Sequence, residues 1–106
     1  MSIDIQRIGA IRIFVRDLDR ARDFYAGLLN LPERMDGDDF SAFRLAGVDI
    51  VIETTVDDQE DLVGRFTGFS LAVSDIEAVL QNLRDAGVKI LGPAEKQFWG
   101  GILAHI

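Results

Sequence analysis

The chain has 106 residues and a formal net charge of −7, with 18 acidic against 11 basic residues. That acid excess argues against nucleic acid and anionic membranes as partners, since both require a basic face. The sequence shows no apolar run of ~18 residues and no basic-then-apolar leader, which points to a cytoplasmic protein. The absence of cysteine removes disulfide and thiolate chemistry.

In chain order, "AIRIFV" (10–15) is apolar on both faces, as a buried strand should be. Asp17 stands where a helix N-cap belongs, and Leu18, Ala21, Tyr25, Leu28 and Leu29 then recur at helical spacing. Asn30 and Pro32 end that helix. "MDGDDF" carries a turn at Asp36-Gly37, and "LAGV" carries another at Ala46-Gly47. "FSAFRL" and "VDIVIETT" alternate as strands, giving a first β-α-β-β-β unit. The acidic, aperiodic "VDDQEDLVGR" reads as a linker. Beyond it come a strand in "FTGFSLAV", a helix in "DIEAVLQNLRDAG" stopped by Gly87, "VKIL", a turn at Gly92-Pro93, and a last strand in "GGILAHI" opened by Gly100-Gly101.

These elements say nearly the same thing twice. An offset of 58 residues carries Asp17 onto Asp75, Val15 onto Val73, Leu18 onto Ile76, Ala21 onto Val79 and Tyr25 onto Leu83. Neither copy is large enough to bury its own apolar face, so the two should share a core and enclose any pocket between them. The expected architecture is α+β: repeat one over 6–56, a linker over 57–65 and repeat two over 66–106, within a single domain. The second copy reads one strand short of the first.

The pattern resembles the vicinal oxygen chelate superfamily, which contains glyoxalase I, bleomycin-resistance proteins, fosfomycin-resistance enzymes and extradiol dioxygenases. The resemblance rests on "VRDLDRARDFYAGLL", "VSDIEAVLQNLRDAG", "VDIVIE" and "FWGGILAHI", and it covers essentially the whole chain. It implies that each unit forms half of an open, cup-like barrel with the ligand or metal inside. Family enzymes hold a divalent metal through the first and fourth strands of each unit. The corresponding positions here are Ala10, Gly68 and Glu53, and the fourth has no counterpart. Ala10 and Gly68 carry no donor, so no metal and no cofactor are expected.

The family register, with strand alternation, turns Arg12, Phe14, Asp49, Val51, Glu53 and Thr55 into the cup and Ile11, Ile13 and Val15 under the helices. In the second unit Ser70, Ala72, Leu103 and His105 should face the cup. Phe69, Leu71 and Val73 should face away from it, and Ile102, Ala104 and Ile106 should enter the core. Trp99 and Phe98 belong at the rim. Several readings stay open at single residues. Glu53 is either a cup carboxylate or an exposed strand-end one, and His105, the only histidine, is either a pocket group or an incidental surface residue. An Arg12–Glu53 ion pair is either architectural or catalytic, and Trp99 is either filler or a stacking platform.

The leading functional expectation is a metal-independent binder of a small organic molecule, of the bleomycin-resistance type. Arg12, Phe14, Val51, Ser70, Trp99 and Leu103 would line its ligand site. The first alternative is a lyase or isomerase with Glu53 as general base and Arg12 or His105 stabilising an enolate-like intermediate. The second is a ligand-free assembly module. Under each, unpaired strand edges in the second unit favour a homodimer.

Overall fold

The computed structural model describes residues 2–55 and 57–106, and the chain divides into two compact units, 1–68 and 69–106. In the first, a mixed four-stranded sheet runs in the order β1-β4-β3-β2, with β1 Ala10–Val15, β2 Glu33–Asp36, β3 Phe40–Leu45 and β4 Val48–Thr54. β1 and β4 are parallel, whereas β3 pairs antiparallel with both β4 and β2. One sheet face is closed by the helical segment between β1 and β2. Leu18, Ala21 and Leu31 pack there on Phe43, Ile50 and Ile52, with Ile13, Val15, Tyr25 and Leu29 around them. Phe43 and Ile52 are sealed from water, so alternation along β3 and β4 is set by the core rather than by propensity alone.

The helical segment departs from the expected uniform helix. It is α-helical over Leu18–Arg22 (α1) and widens to a π-helix over Asp23–Leu28. The Leu29 amide accordingly donates to the Phe24 carbonyl, five residues back, at 2.8 Å. The extra residue per turn rotates Leu28 out of the apolar stripe, where it is exposed, while Leu29 stays against the core. Asn30 ends the segment at φ 53, the left-handed conformation asparagine tolerates best after glycine.

The two turns predicted for this unit are both present. Ala46 and Gly47 connect β3 to β4 with φ of 51 and 81, a two-residue hairpin of the type I′ form. The Asp36-Gly37 turn lies slightly further on: Asp36 still pairs with Ser41 in the ladder, and Gly37 to Asp39 make the loop. Arg22 ties the helix to this hairpin, reaching Asp36 and the carbonyls of Gly37 and Phe40. The segment expected to be a linker forms a 3-10 helix over Asp57–Leu62, after which Val63 makes one parallel bridge with Phe14 at the outer edge of β1.

The second unit contains the helix α2, Ile76–Asp85, and a two-stranded ribbon of β5 Glu95–Lys96 and β6 Ile102–Leu103. The Asp75 carboxylate caps α2 by accepting from the Ala78 amide at 3.1 Å. Asp17 accepts from the Arg20 amide at the same distance, so the two copies share one capping geometry. At the other end Gly87, at φ 84, closes a Schellman motif. Its own amide donates to the Arg84 carbonyl, and that of Val88 donates to the Leu83 carbonyl.

Several strand expectations fail in this unit. "FTGFSLAV" and "VKIL" form no ladder among the described residues, and "GGILAHI" is a strand only over Ile102–Leu103. Without a ladder there is no alternation, and Ser70, Leu71, Ala72 and Val73 are all exposed. The parity expected for the last strand does not hold either: Ile102 and Ile106 are exposed, while Leu103 and Ala104 are both half-buried. Gly100-Gly101 completes a turn that leads directly into β6 at Ile102. Gly100 lies at φ 99 with its amide donating to the Gln97 carbonyl, and the Trp99 ring lies on Gly101, where any Cβ would collide. Among the described residues no helix is long and apolar enough to cross a membrane.

Candidate functional site

The free face of the first sheet follows from its register. Side chains directly opposite across a ladder share a face, and Ile50, Ile52 and Phe43 are committed to the core. Their neighbours Asp49, Val51 and Glu53 on β4, and Phe40, Ala42 and Arg44 on β3, therefore occupy the other face. β1 adds Ala10, Arg12 and Phe14, whose ladder partners are Asp49, Val51 and Glu53. The set predicted from sequence for this unit (Arg12, Phe14, Val51 and Glu53) is thus brought onto one surface.

Arg12 and Glu53 form a bidentate pair across the β1/β4 boundary. The guanidinium donates from Nε to Oε2 at 2.9 Å and from Nη2 to Oε1 at 2.7 Å. The Arg12 carbon Cζ also lies 5.2 Å from the centroid of the Phe14 ring, within cation–π range. The pair is not buried: the Arg12 side chain is 61% exposed and that of Glu53 is 19% exposed. Glu53 is therefore no isolated exposed strand-end carboxylate, since both its oxygens are engaged. The hydrogen bond and charge of Glu53 in turn raise the Arg12 pKa above its ordinary value, so the guanidinium stays charged.

Asp49 anchors a second cluster on the same face. It accepts from Arg44 Nε at 2.7 Å and from Arg34 Nη1 at 2.9 Å, one oxygen to each. The Arg44 hydrogen bond, then the charges of Arg34, Arg44 and Arg7, hold the Asp49 carboxyl below its ordinary range, although partial desolvation opposes them. Neither arginine is among the residues expected from sequence. Alternation outward from Phe43 would have put Arg44 on this face, but no such signal exists for Arg34. An unbroken ladder would set it opposite Phe43 on the core side, and a bulge between Glu33 and Met35 releases it toward Asp49.

The other predicted residues lie in the second unit. Ser70 and His105 are exposed, as is Trp99 on its glycine turn, and Leu103 is half-buried in β6. His105 takes part in the unit through its backbone, its carbonyl accepting from the Leu91 amide at 2.8 Å.

The metal positions implied by the resemblance do not fit a cation. Ala10 offers a methyl group at the start of β1. Gly68, at φ 76, offers no side chain, and the Glu53 carboxylate already has both oxygens on Arg12. Among the described residues no three His, Cys, Asp or Glu side chains come together as a metal site.

Comparison with known proteins agrees with this fold. A search of curated proteins found no match. Among solved structures, a glyoxalase/bleomycin resistance protein/dioxygenase superfamily member from Sphaerobacter thermophilus is 27% identical with a TM-score of 0.75, and the match covers 94% of this chain and 86% of that one. Lactoylglutathione lyase from Agrobacterium tumefaciens matches at 12% identity and a TM-score of 0.72, over 97% and 86% of the two chains. TioX from Micromonospora matches at 16% identity and a TM-score of 0.65, over 93% and 87%. A family model matches residues 7–106, and the chain belongs to the Glyoxalase/Bleomycin resistance protein/Dioxygenase superfamily.

Proposed function

We propose that this chain is a metal-independent binder of a small organic molecule, held against the sheet face that carries Arg12, Phe14, Val51 and Glu53. The observation that carries the reading is the engagement of Glu53. A general base must aim a carboxylate lone pair at the proton it removes, and here each oxygen already gives one to a single guanidinium that fixes the carboxylate's orientation. Such a pair suits recognition: it fixes the Arg12 plane beside Phe14, leaving a flat cationic and aromatic surface over Val51. In this reading the protein acts in the cytoplasm as a homodimer. His105 has no chemical task in it.

The lyase or isomerase reading keeps one structural neighbour, the Agrobacterium lyase, but at 12% identity that likeness speaks for the fold alone. A thermal-shift screen of small aromatic and aliphatic compounds, followed by calorimetry with each hit, tests the binding reading. Binding should persist after exhaustive treatment with a chelator, and Arg12→Gln should weaken it by about tenfold. Loss of binding on chelation, or turnover of a hit that Glu53→Gln abolishes, would replace this reading with a catalytic one.

A further inference from the structure

Asp49 is shared by two arginines, and neither has its donors used up. Arg44 donates to it only from Nε and Arg34 only from Nη1, each to a different oxygen. Among the described residues, Nη1 and Nη2 of Arg44 and Nε and Nη2 of Arg34 donate to no protein acceptor. The two arginines are about half exposed, while Asp49 beneath them is largely covered. Arg12 and Arg22 differ. Arg12 sets both Nε and Nη2 on the two oxygens of a single carboxylate, and Arg22 distributes its donors over Asp19, Asp36 and two carbonyls.

Arg7 adds a third positive charge from the adjoining chain. Its Nη1 reaches the carbonyl of Gly47 in the β3–β4 hairpin at 3.2 Å, two residues before Asp49. One carboxylate thus holds two guanidinium groups, and a third, bound to backbone carbonyls nearby, adds to the positive charge around it. A fold that needed only to neutralise Asp49 would require one partner. The bulge that turns Arg34 away from the core face and onto Asp49 adds a second, and bulges are a recurrent means of re-aiming a side chain at a site.

We infer that Arg34 and Arg44, clamped by Asp49 and supported by Arg7, form an oxyanion-binding subsite for the carboxylate or phosphate group of a small ligand. Guanidinium forks match both oxyanions in geometry, and an orienting carboxylate keeps the planes fixed before the ligand arrives. Asp49 and Val51 lie two residues apart on one strand face, about 7 Å. A ligand anchored here would therefore lay its apolar body over Val51 toward Phe14. This placement rests on the binding face proposed above, whereas the anion subsite itself does not.

The test is an NMR titration of the full chain with phenylacetate, phenyl phosphate and the neutral analogue phenylacetamide. Backbone amides and arginine Nε–H signals are followed together. Either oxyanion should shift the Arg34 and Arg44 signals and bind at least about fivefold more tightly than the amide, as loss of a charged hydrogen-bond partner implies. Arg34→Gln should weaken the two anions about fivefold and leave the amide unchanged, and the dispersion of the same spectra reports that the variant is folded. Arg34→Lys should recover part of the loss.

Equal binding of all three compounds, no binding of the anions at millimolar concentration, or anion affinity indifferent to Arg34→Gln would overturn the subsite. Anion-dependent shifts confined to Arg12, Phe14 and Val51 would overturn it too, but would leave the proposed binding face standing. Shifts confined to Arg34, Arg44 and Asp49 would support the subsite and remove that face as the resting place of the ligand body.

Discussion

At the scale of residues, charge placement separates what is legible from what is not. Arg12 and Glu53 can be paired from sequence because both sit on strands whose parity the core fixes. The Asp49 cluster depends on a register shift that no residue type announces, so Arg34 escaped. The cluster has a pH signature. The Asp49 carboxyl is held below its ordinary range, first by the Arg44 hydrogen bond. A depressed carboxylate contributes stability that is full above its unfolded value of about 3.9 and is lost as pH falls through the lower folded value. Urea unfolding at a series of pH values should therefore show no Asp49 contribution to the slope near neutrality and a decline below about pH 4. In Asp49→Asn that decline should be shallower. Tyr25, the only tyrosine, makes the opposite case. It packs beside the core in an edge-on contact with Phe24, and burial raises its phenol pKa above 10.0. A raised value means stability that is full below the unfolded pKa and lost as pH rises through the folded one. The ultraviolet titration of the folded protein should thus give a single phenolate transition above pH 10, ahead of which the fold stays intact.

At the scale of elements, capping and turn chemistry were read correctly, and helix interior and strand length were not. The capping aspartates have fixed offsets from an apolar run, and their effect is local. Replacing Asp17 or Asp75 by Ala should each cost about 0.5–2 kcal/mol in chemical denaturation. The larger loss is expected at Asp17, because its helix carries Leu18 and Ala21 into the sheet core. The π-helical stretch and the bulge were illegible for a common reason: each inserts a residue into a regular ladder, and the choice is made by packing. The β3–β4 hairpin offers a sharper test. A type I′ turn needs two left-handed residues, and Ala46 is held there at φ 51 despite its Cβ. Ala46→Asn or Ala46→Gly should therefore stabilise the protein by about 1 kcal/mol. A midpoint lower than that of the parent in urea would show that the hairpin conformation is not what limits this site.

At the scale of the whole molecule, of the repeat expected from the sequence only the two capped helices 58 residues apart recur, and the two units develop very different sheets. The first has strands of four to seven residues and a closed core, whereas the second has two strands of two residues each. A ribbon that short has no independent stability in water. Its surroundings are apolar and open: Leu91, Trp99, Ile102 and Ile106 are each more than half exposed, and the Phe98 ring is fully exposed. Alternating strand patterns in "FTGFSLAV" and "GGILAHI" therefore lack the partner that would turn them into ladders. Exposed apolar residues in such density are the mark of an association surface. A second copy is a partner always present at the same concentration as the first. Association through this unit would extend β6 beyond Ile102–Leu103 and dry Trp99. Sedimentation equilibrium should then give a dimer at micromolar concentration, and the fluorescence of the single tryptophan should shift to longer wavelength on dilution. Ile102→Lys should convert the dimer to monomer, because a charge cannot be left unpaired in a dry interface. A particle of single-chain mass, with Trp99 emission independent of concentration and a cooperative unfolding transition, would show instead that the second unit is stable as a monomer with its apolar residues open to water.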